Sequence, residues 1–276
     1  MLFVGTSIIH PSTEGVFLLC NILDLLIYSY IYKAITIIFL LYILFNVIAF
    51  GLVAVNSNRM RKKYLKKKRN GVVGNEIVNN DHIQNSPEKV SVVKKLYRKL
   101  YLPISGLTKY VSIKISMIPS HNLRHFLINR VLASGLNSNT VVYYGSIFRG
   151  AFKIDIGRGT IVGDECLLDG RGELSIGENC NLSTGVKIWT GQHDLNSPTF
   201  AYESAPVKIG NHCWISGGVT ILPGVTVNDG CVVASGAVVT KDCEAYGIYA
   251  GIPAKKIGVR NNNLQYEFDG RHDWFL

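Results

Sequence analysis

Residues 207–242 read VKIGNHCWISGGVTILPGVTVNDGCVVASGAVVTKD. Aliphatic side chains recur there at Ile209, Ile215, Ile221, Val227, Val233 and Val239, each six residues after the last. Helices repeat every 3.6 residues and strands every two, so neither element explains a period of six. Four residues after each of these stands a small or compact one: Cys213, Val219, Val225, Cys231, Ala237 and Cys243. Gly, Asn and Asp crowd the intervals, which suits a backbone that turns a corner in every repeat. The pattern describes a solenoid of short strands, each aliphatic residue pointing inward onto its counterpart in the next coil. A β-sandwich is the competing reading, but its strands alternate with period two and its loops vary in length.

The register extends upstream through Ile156, Val162 and Leu168, then, after two extra residues, through Ile176, Leu182 and Ile188. A first, irregular coil is expected from Val141 to about Lys153. Between Ile188 and Ile209 the rhythm breaks, and the stretch TGQHDLNSPTF at 190–200 falls in the break. An excursion from the coil is therefore expected over 191–206. Stacked aliphatic side chains carry no chemistry of their own, so a projecting polar loop is where function is sought.

In these repeats, and in YAGIPAKKIG at 249–258, the chain resembles the left-handed β-helix, hexapeptide-repeat acyltransferases over about residues 118–260. It looks most like the maltose, galactoside and nodulation-factor O-acetyltransferases and the acetyltransferases of exopolysaccharide clusters such as colanic acid. The resemblance implies an all-β solenoid, a left-handed parallel β-helix spanning 136–260. The hand comes from the resemblance alone, because parallel crossovers are otherwise right-handed in about 98% of cases.

The first 58 residues differ in kind. The stretch at 34–55 holds 22 residues without a charge, long enough at 1.5 Å per residue to cross a hydrocarbon core of about 30 Å. It reads as a transmembrane helix, too long and too deep in the chain for a cleavable signal. The stretch at 15–32 is apolar but carries Asn21 and Asp24. It reads as a second, weaker span in a hairpin with the first, with an interfacial helix as the alternative. Eight basic residues and no acid follow in Arg59–Arg69. The positive-inside rule then keeps that end, and the solenoid after it, in the cytoplasm, with the cluster against anionic lipid headgroups. The net charge of +10 is thus local and juxtamembrane, which argues against a nucleic-acid surface. The segment 59–90 is expected to end in a flexible polar linker. A helical cap is expected over 91–135, with Ser120 capping its last helix and the cap covering the exposed first coil. Residues 261–276 form a tail.

Five of the six cysteines, Cys166, Cys180, Cys213, Cys231 and Cys243, take the small inward slot of a hexad and read as packing residues. No CxxC occurs, and His121 and His125 have no third ligand nearby in sequence, so no metal site is expected.

Transfer of an acetyl group to a hydroxyl needs a base for the hydroxyl proton, and neutral imidazole supplies one. His193, in the excursion, matches the catalytic histidine of the resembled enzymes, and Asp194 is expected to orient it, by triad logic. The resemblance implies acetyl-CoA as donor, lying between subunits of a homotrimer beside Gly217 and Ser235, with Thr240 and Lys241 touching it. Lys255, Lys256 and Arg260 are placed to meet its phosphates, a solvated basic tail being the plainer reading of the three. Trp214 is expected either in the core or against that groove. Where the maltose-type enzymes carry an asparagine in the coil before the histidine, this chain has Gly163, followed by Asp164 and Glu165, which leaves oxyanion stabilisation unassigned, backbone N–H groups being one candidate. The expected activity is O-acetylation of a surface polysaccharide or its lipid-linked precursor, which a membrane anchor would hold near the enzyme. N-acetylation of an amino sugar, acetylation of a small molecule, and a non-catalytic scaffold are the alternatives.

Overall fold

The computed structural model of the chain describes the backbone over 13–71 and 92–272 and the side chains over 30–71 and 103–272. The solenoid forms as the hexads require. Each of the twelve aliphatic residues named above is 4% exposed or less, and the five hexad cysteines are buried free thiols. Because a coil of three hexads has three straight segments, the strands stack into three parallel sheets, the faces of a triangular prism of about six turns.

The first face holds Gly135–Leu136, Ile154–Ile156, Leu174–Ile176, Val207–Ile209 and Thr226–Val227. The second holds Val141–Val142, Ile161–Val162, Asn181–Leu182, Trp214–Ile215, Val232–Val233 and Gly247–Ala250, closed by antiparallel Lys255–Val259. The third holds Ile147–Arg149, Leu167–Asp169, Lys187–Ile188, Thr220–Ile221 and Val238–Val239. Ile156 pairs with Ile176, Ile176 with Ile209, and Ile209 with Val227. A plain coil thus takes 18 residues, the early coils 20, and the coil that carries the excursion 33. The backbone turns through left-handed residues stacked along each of two edges: Asn139, Gly159, Asn179, His212 and Gly230 on one, Gly145, Glu165, Gly185, Gly218 and Gly236 on the next.

The first coil has no coil before it to complete its hydrogen bonds, and the helical cap completes them instead. Helix α2 (Val92–Ser116) offers the Ser112 hydroxyl to the Phe148 N–H at 3.1 Å and the Ser116 carbonyl to Gly145. Helix α3 (His121–Arg130) is capped by Ser120, as expected, and its Asn129 bonds both N–H and C=O of Leu136. Arg124, fully buried, donates through Nε and Nη2 to the carbonyl of Val142 at 2.8 and 2.6 Å and through Nη1 to that of Ile118. Its guanidinium stands in for the missing strand.

The chain divides into two units, Met1–Ile48 and Ala49–Leu276. Helix α1 (Thr13–Arg69) runs unbroken through residues 32–34, so the expected hairpin of two spans is not formed. In the first unit almost every apolar side chain from Tyr30 to Ile48 is exposed, and the helix is long and apolar enough to cross a membrane. In the second unit Ala49, Val53, Ser57 and Tyr64 are buried, and Ala49 and Val53 join the core. The boundary placed after residue 58 therefore moves back about ten residues, because one face of α1 beyond Ile48 meets protein rather than solvent. The basic run divides likewise. Arg61 bonds Asp155 and the Phe152 carbonyl, and Lys68 reaches Asp155 at 3.2 Å, while Lys62, Lys63, Lys66, Lys67 and Arg69 remain exposed. Most of the expected linker, 72–91, lies outside the described residues.

Candidate active site

The 33-residue coil leaves the third face after Ile188 and returns to the first at Val207, so the excursion hangs on the edge between them. It is a small antiparallel hairpin, Gly191–His193 against Tyr202–Ser204, with His193 opposite Tyr202. Nδ1 of His193 lies 2.8 Å from the carbonyl oxygen of Phe200. A carbonyl only accepts, so Nδ1 carries the proton and the lone pair of the neutral ring is on Nε2. The ring also stacks on Phe200, centroids 3.9 Å apart at 9°, and meets the edge of Tyr202 at 5.7 Å. Two aromatic contacts and one hydrogen bond thus fix the imidazole plane. Gly191 is required here because a Cβ would stand 1.9 Å from the Tyr202 hydroxyl.

Asp194 takes a different part from the one expected. Its carboxylate accepts from the Asn196 N–H at 2.9 Å, and its backbone N–H donates to the Ala201 carbonyl at 2.9 Å. Asp194, just past the end of the strand, thus turns the loop, while the Phe200 carbonyl orients the imidazole.

Beneath the hairpin lies a group that hexad counting does not reveal. Asp169 is wholly buried and grips Arg171 through both oxygens, Oδ1 to Nε at 2.9 Å and Oδ2 to Nη2 at 3.0 Å. It also accepts the N–H groups of Arg171 and Thr190. The Arg171 guanidinium lies over the Tyr202 ring at 5.3 Å, so the carboxylate braces the surface on which His193 rests. Asp169 and Arg171 sit in LLDGRG at 167–172, where the two extra residues of that coil were the one available signal.

Most of the expected donor residues do not share the histidine's edge. Thr240 and Lys241 do, exposed and two coils further on. Gly217 and Ser235 lie on the edge between the second and third faces, where Gly236 N–H donates to the Gly217 carbonyl and the Ser235 and Ser216 hydroxyls are 2.7 Å apart. Lys255 and Lys256 are exposed on the closing strand, and Lys256 pairs with Glu244 at 2.6 Å, a bond that raises its pKa. Arg260 is engaged by the chain itself. It donates to the His212 carbonyl at 3.0 Å and lies over Tyr266, pinning the tail to the edge between the first and second faces. Trp214 is 47% exposed on the second face and donates to Ser183 Oγ, so it is not a core residue. Gly163 is a packing position, since a Cβ would come within 2.8 Å of the Leu182 carbonyl in the next coil.

Residues 206–241 match the family described as bacterial transferase hexapeptide (six repeats). The chain is 33% identical over 137 residues, half of its own length and 75% of the relative's, to the "Putative colanic acid biosynthesis acetyltransferase WcaF" of Escherichia coli (strain K12). Among solved structures it is similar to a galactoside acetyltransferase in complex with coenzyme A, with 27% identity and TM-score 0.53 over 58% of this chain and 83% of that one. A hexapeptide-repeat acetyltransferase of Vibrio cholerae shares the fold at TM-score 0.52 and 19% identity, covering 63% of this chain and 96% of that one. The chain belongs to the hexapeptide-repeat family of bacterial transferases.

Proposed function

We propose that the protein is an acetyl-CoA-dependent O-acetyltransferase acting on a saccharide hydroxyl of a surface polysaccharide or its lipid-linked precursor. The observation that carries this reading is the imidazole of His193, held by the Phe200 carbonyl so that Nε2 is its basic nitrogen. In the reaction Nε2 takes the hydroxyl proton as the saccharide oxygen attacks the thioester carbonyl. The C–S bond then breaks, and the CoA sulfur leaves with the proton from Nε2. The relatives named above, a colanic acid acetyltransferase by name and a galactoside acetyltransferase bound to coenzyme A, support both donor and acceptor class.

Gly217 and Ser235 are proposed to lie along the pantetheine arm, with Thr240, Lys241, Lys255 and Lys256 toward its far end. His193 and the Gly217–Ser235 pair sit on opposite edges of the third face, so one chain does not close around a thioester by itself. A homotrimer in which one subunit's hairpin meets its neighbour's edge supplies the enclosure. The apolar stretch from Tyr30 to Ile48 is proposed to sit in a membrane, with the exposed lysines of α1 on anionic headgroups and the solenoid in the cytoplasm.

The test is incubation of the detergent-solubilised protein with labelled acetyl-CoA and a cell-envelope glycan extract. Label should enter a saccharide and be released by mild alkali, as an ester is. Absence of labelled glycan, or label that withstands alkali as an amide does, would reject O-acetylation.

A further inference from the structure

A second guanidinium stands on the same edge as the hairpin, and its charge is uncompensated. Arg149 ends a third-face strand and pairs in register with Asp169 of the next coil. The natural partner for it is that carboxylate, yet Asp169 has no capacity left. Each of its oxygens already accepts two donors, Arg171 N–H and Nε on one, Arg171 Nη2 and Thr190 N–H on the other. A carboxylate offers about four lone-pair sites, and all are used. Arg149 therefore passes Asp169 and lies over the Trp189 ring, 5.3 Å from its centroid, one coil further on. Its Nε is buried without a hydrogen-bond partner, and among the described residues Arg149 forms no ion pair. Two guanidiniums and one carboxylate leave one positive charge beside the segment, Trp189 to His193, that leads into the hairpin. An orphaned buried donor on a cation costs free energy unless something accepts from it.

We infer that Arg149, backed by Trp189, forms an anion-recognising subsite for the acceptor, so that the saccharide carries a carboxylate or phosphate near the hydroxyl that is acetylated. A planar guanidinium laid on an aromatic face is a rigid fork for such a group. Position assigns it to the acceptor rather than to the donor phosphates. Arg149 belongs to the first coil, two coils before Trp189, whereas Gly217, Ser235 and Lys255 lie in the coils that follow it. The inference rests on the acetyltransferase reading, whose acceptor side it specifies.

Calorimetric titration of the full chain in detergent, saturated with CoA, tests it with three probes: methyl glucuronide, glucose 1-phosphate and the neutral methyl glucoside. The wild type should bind one or both anionic probes about tenfold or more tightly than the glucoside, since charge-assisted hydrogen bonds discriminate at that level. Preference for the glucuronide marks an acidic sugar as the source of the charge, and preference for the phosphate marks a phosphate-linked precursor. Arg149→Gln should remove the preference while leaving glucoside and CoA affinities unchanged, and Arg149→Lys should retain part of it. If Arg149→Gln does not fold, Trp189→Phe should still weaken the preference, because the cation loses its best backing face. Equal binding of all three probes by the wild type, or a preference that survives Arg149→Gln, overturns the inference. So does a tenfold loss of CoA affinity in that variant, which would give the anion to the donor. Failure of the transferase reading shows elsewhere, as unchanged acetyl transfer by His193→Ala.

Discussion

Nδ1 of His193 donates to the carbonyl of Phe200 across 2.8 Å, and the two rings of the same pair lie flat on one another. One residue thus sets both the tautomer and the plane of the imidazole. His193→Ala should lower kcat/KM for acetyl transfer by roughly 10²–10⁴, the contribution of a general base. Phe200→Ala keeps the carbonyl and removes only the stacking, so its loss should be below about tenfold, within the worth of one aromatic contact. Steady-state rates with any accepted saccharide separate the two.

Asp194 caps a turn, and the partner of the imidazole's Nδ1 is the Phe200 carbonyl. Asp194→Asn retains an oxygen for the Asn196 N–H and should leave kcat within several-fold of wild type. In a triad the same change costs about 10⁴, so a single kinetic comparison distinguishes turn from triad.

Asp169→Asn should destabilise the fold by roughly 3 kcal/mol, because it leaves the Arg171 guanidinium without its buried counter-charge. Urea unfolding measures this. The loss should be accompanied by reduced acetyl transfer, since Arg171 lies on Tyr202 and Tyr202 faces His193.

The burial of Ala49, Val53 and Tyr64 gives a prediction about truncation. A chain beginning at residue 48 should be released from detergent and unfold cooperatively. One beginning at residue 71 loses those contacts together with the Arg61–Asp155 pair, and should be less stable by about 3–5 kcal/mol. Thermal melts of the two truncations compare them directly.

Alkaline pH should also weaken the fold. Burial pushes the Cys166 thiol from an ordinary 9.0 up to about 11. The folded state therefore holds the proton more tightly than the unfolded chain. That contribution is complete below pH 9 and is lost as pH rises through about 11, an effect of roughly 2–3 kcal/mol at 1.36 kcal/mol per unit. Denaturant midpoints of Cys166→Ala should fall less steeply over that interval than those of the wild type.

The hexads make the solenoid legible in the sequence. A period of six with an inward aliphatic residue and a small residue four later allows few packings, and all twelve of those side chains went inward. Ser120 as N-cap and the helices over the first coil were legible for the same local reason: orphan backbone groups call for particular partners nearby. The break in rhythm located the hairpin and its histidine.

Contacts between residues distant along the chain were not written in any repeat. Arg171 and Tyr202 are far apart in sequence and meet only because the coil brings the third face's edge under the hairpin. The charge of Arg260 says nothing of the His212 carbonyl that the returning tail brings to it. Hydropathy alone extends the apolar span to residue 55, whereas Ala49 and Val53 face protein, since composition measures how apolar a helix face is and not what covers it. Period and composition settle what each residue prefers locally, and the winding of the coil settles which preferences can be met together.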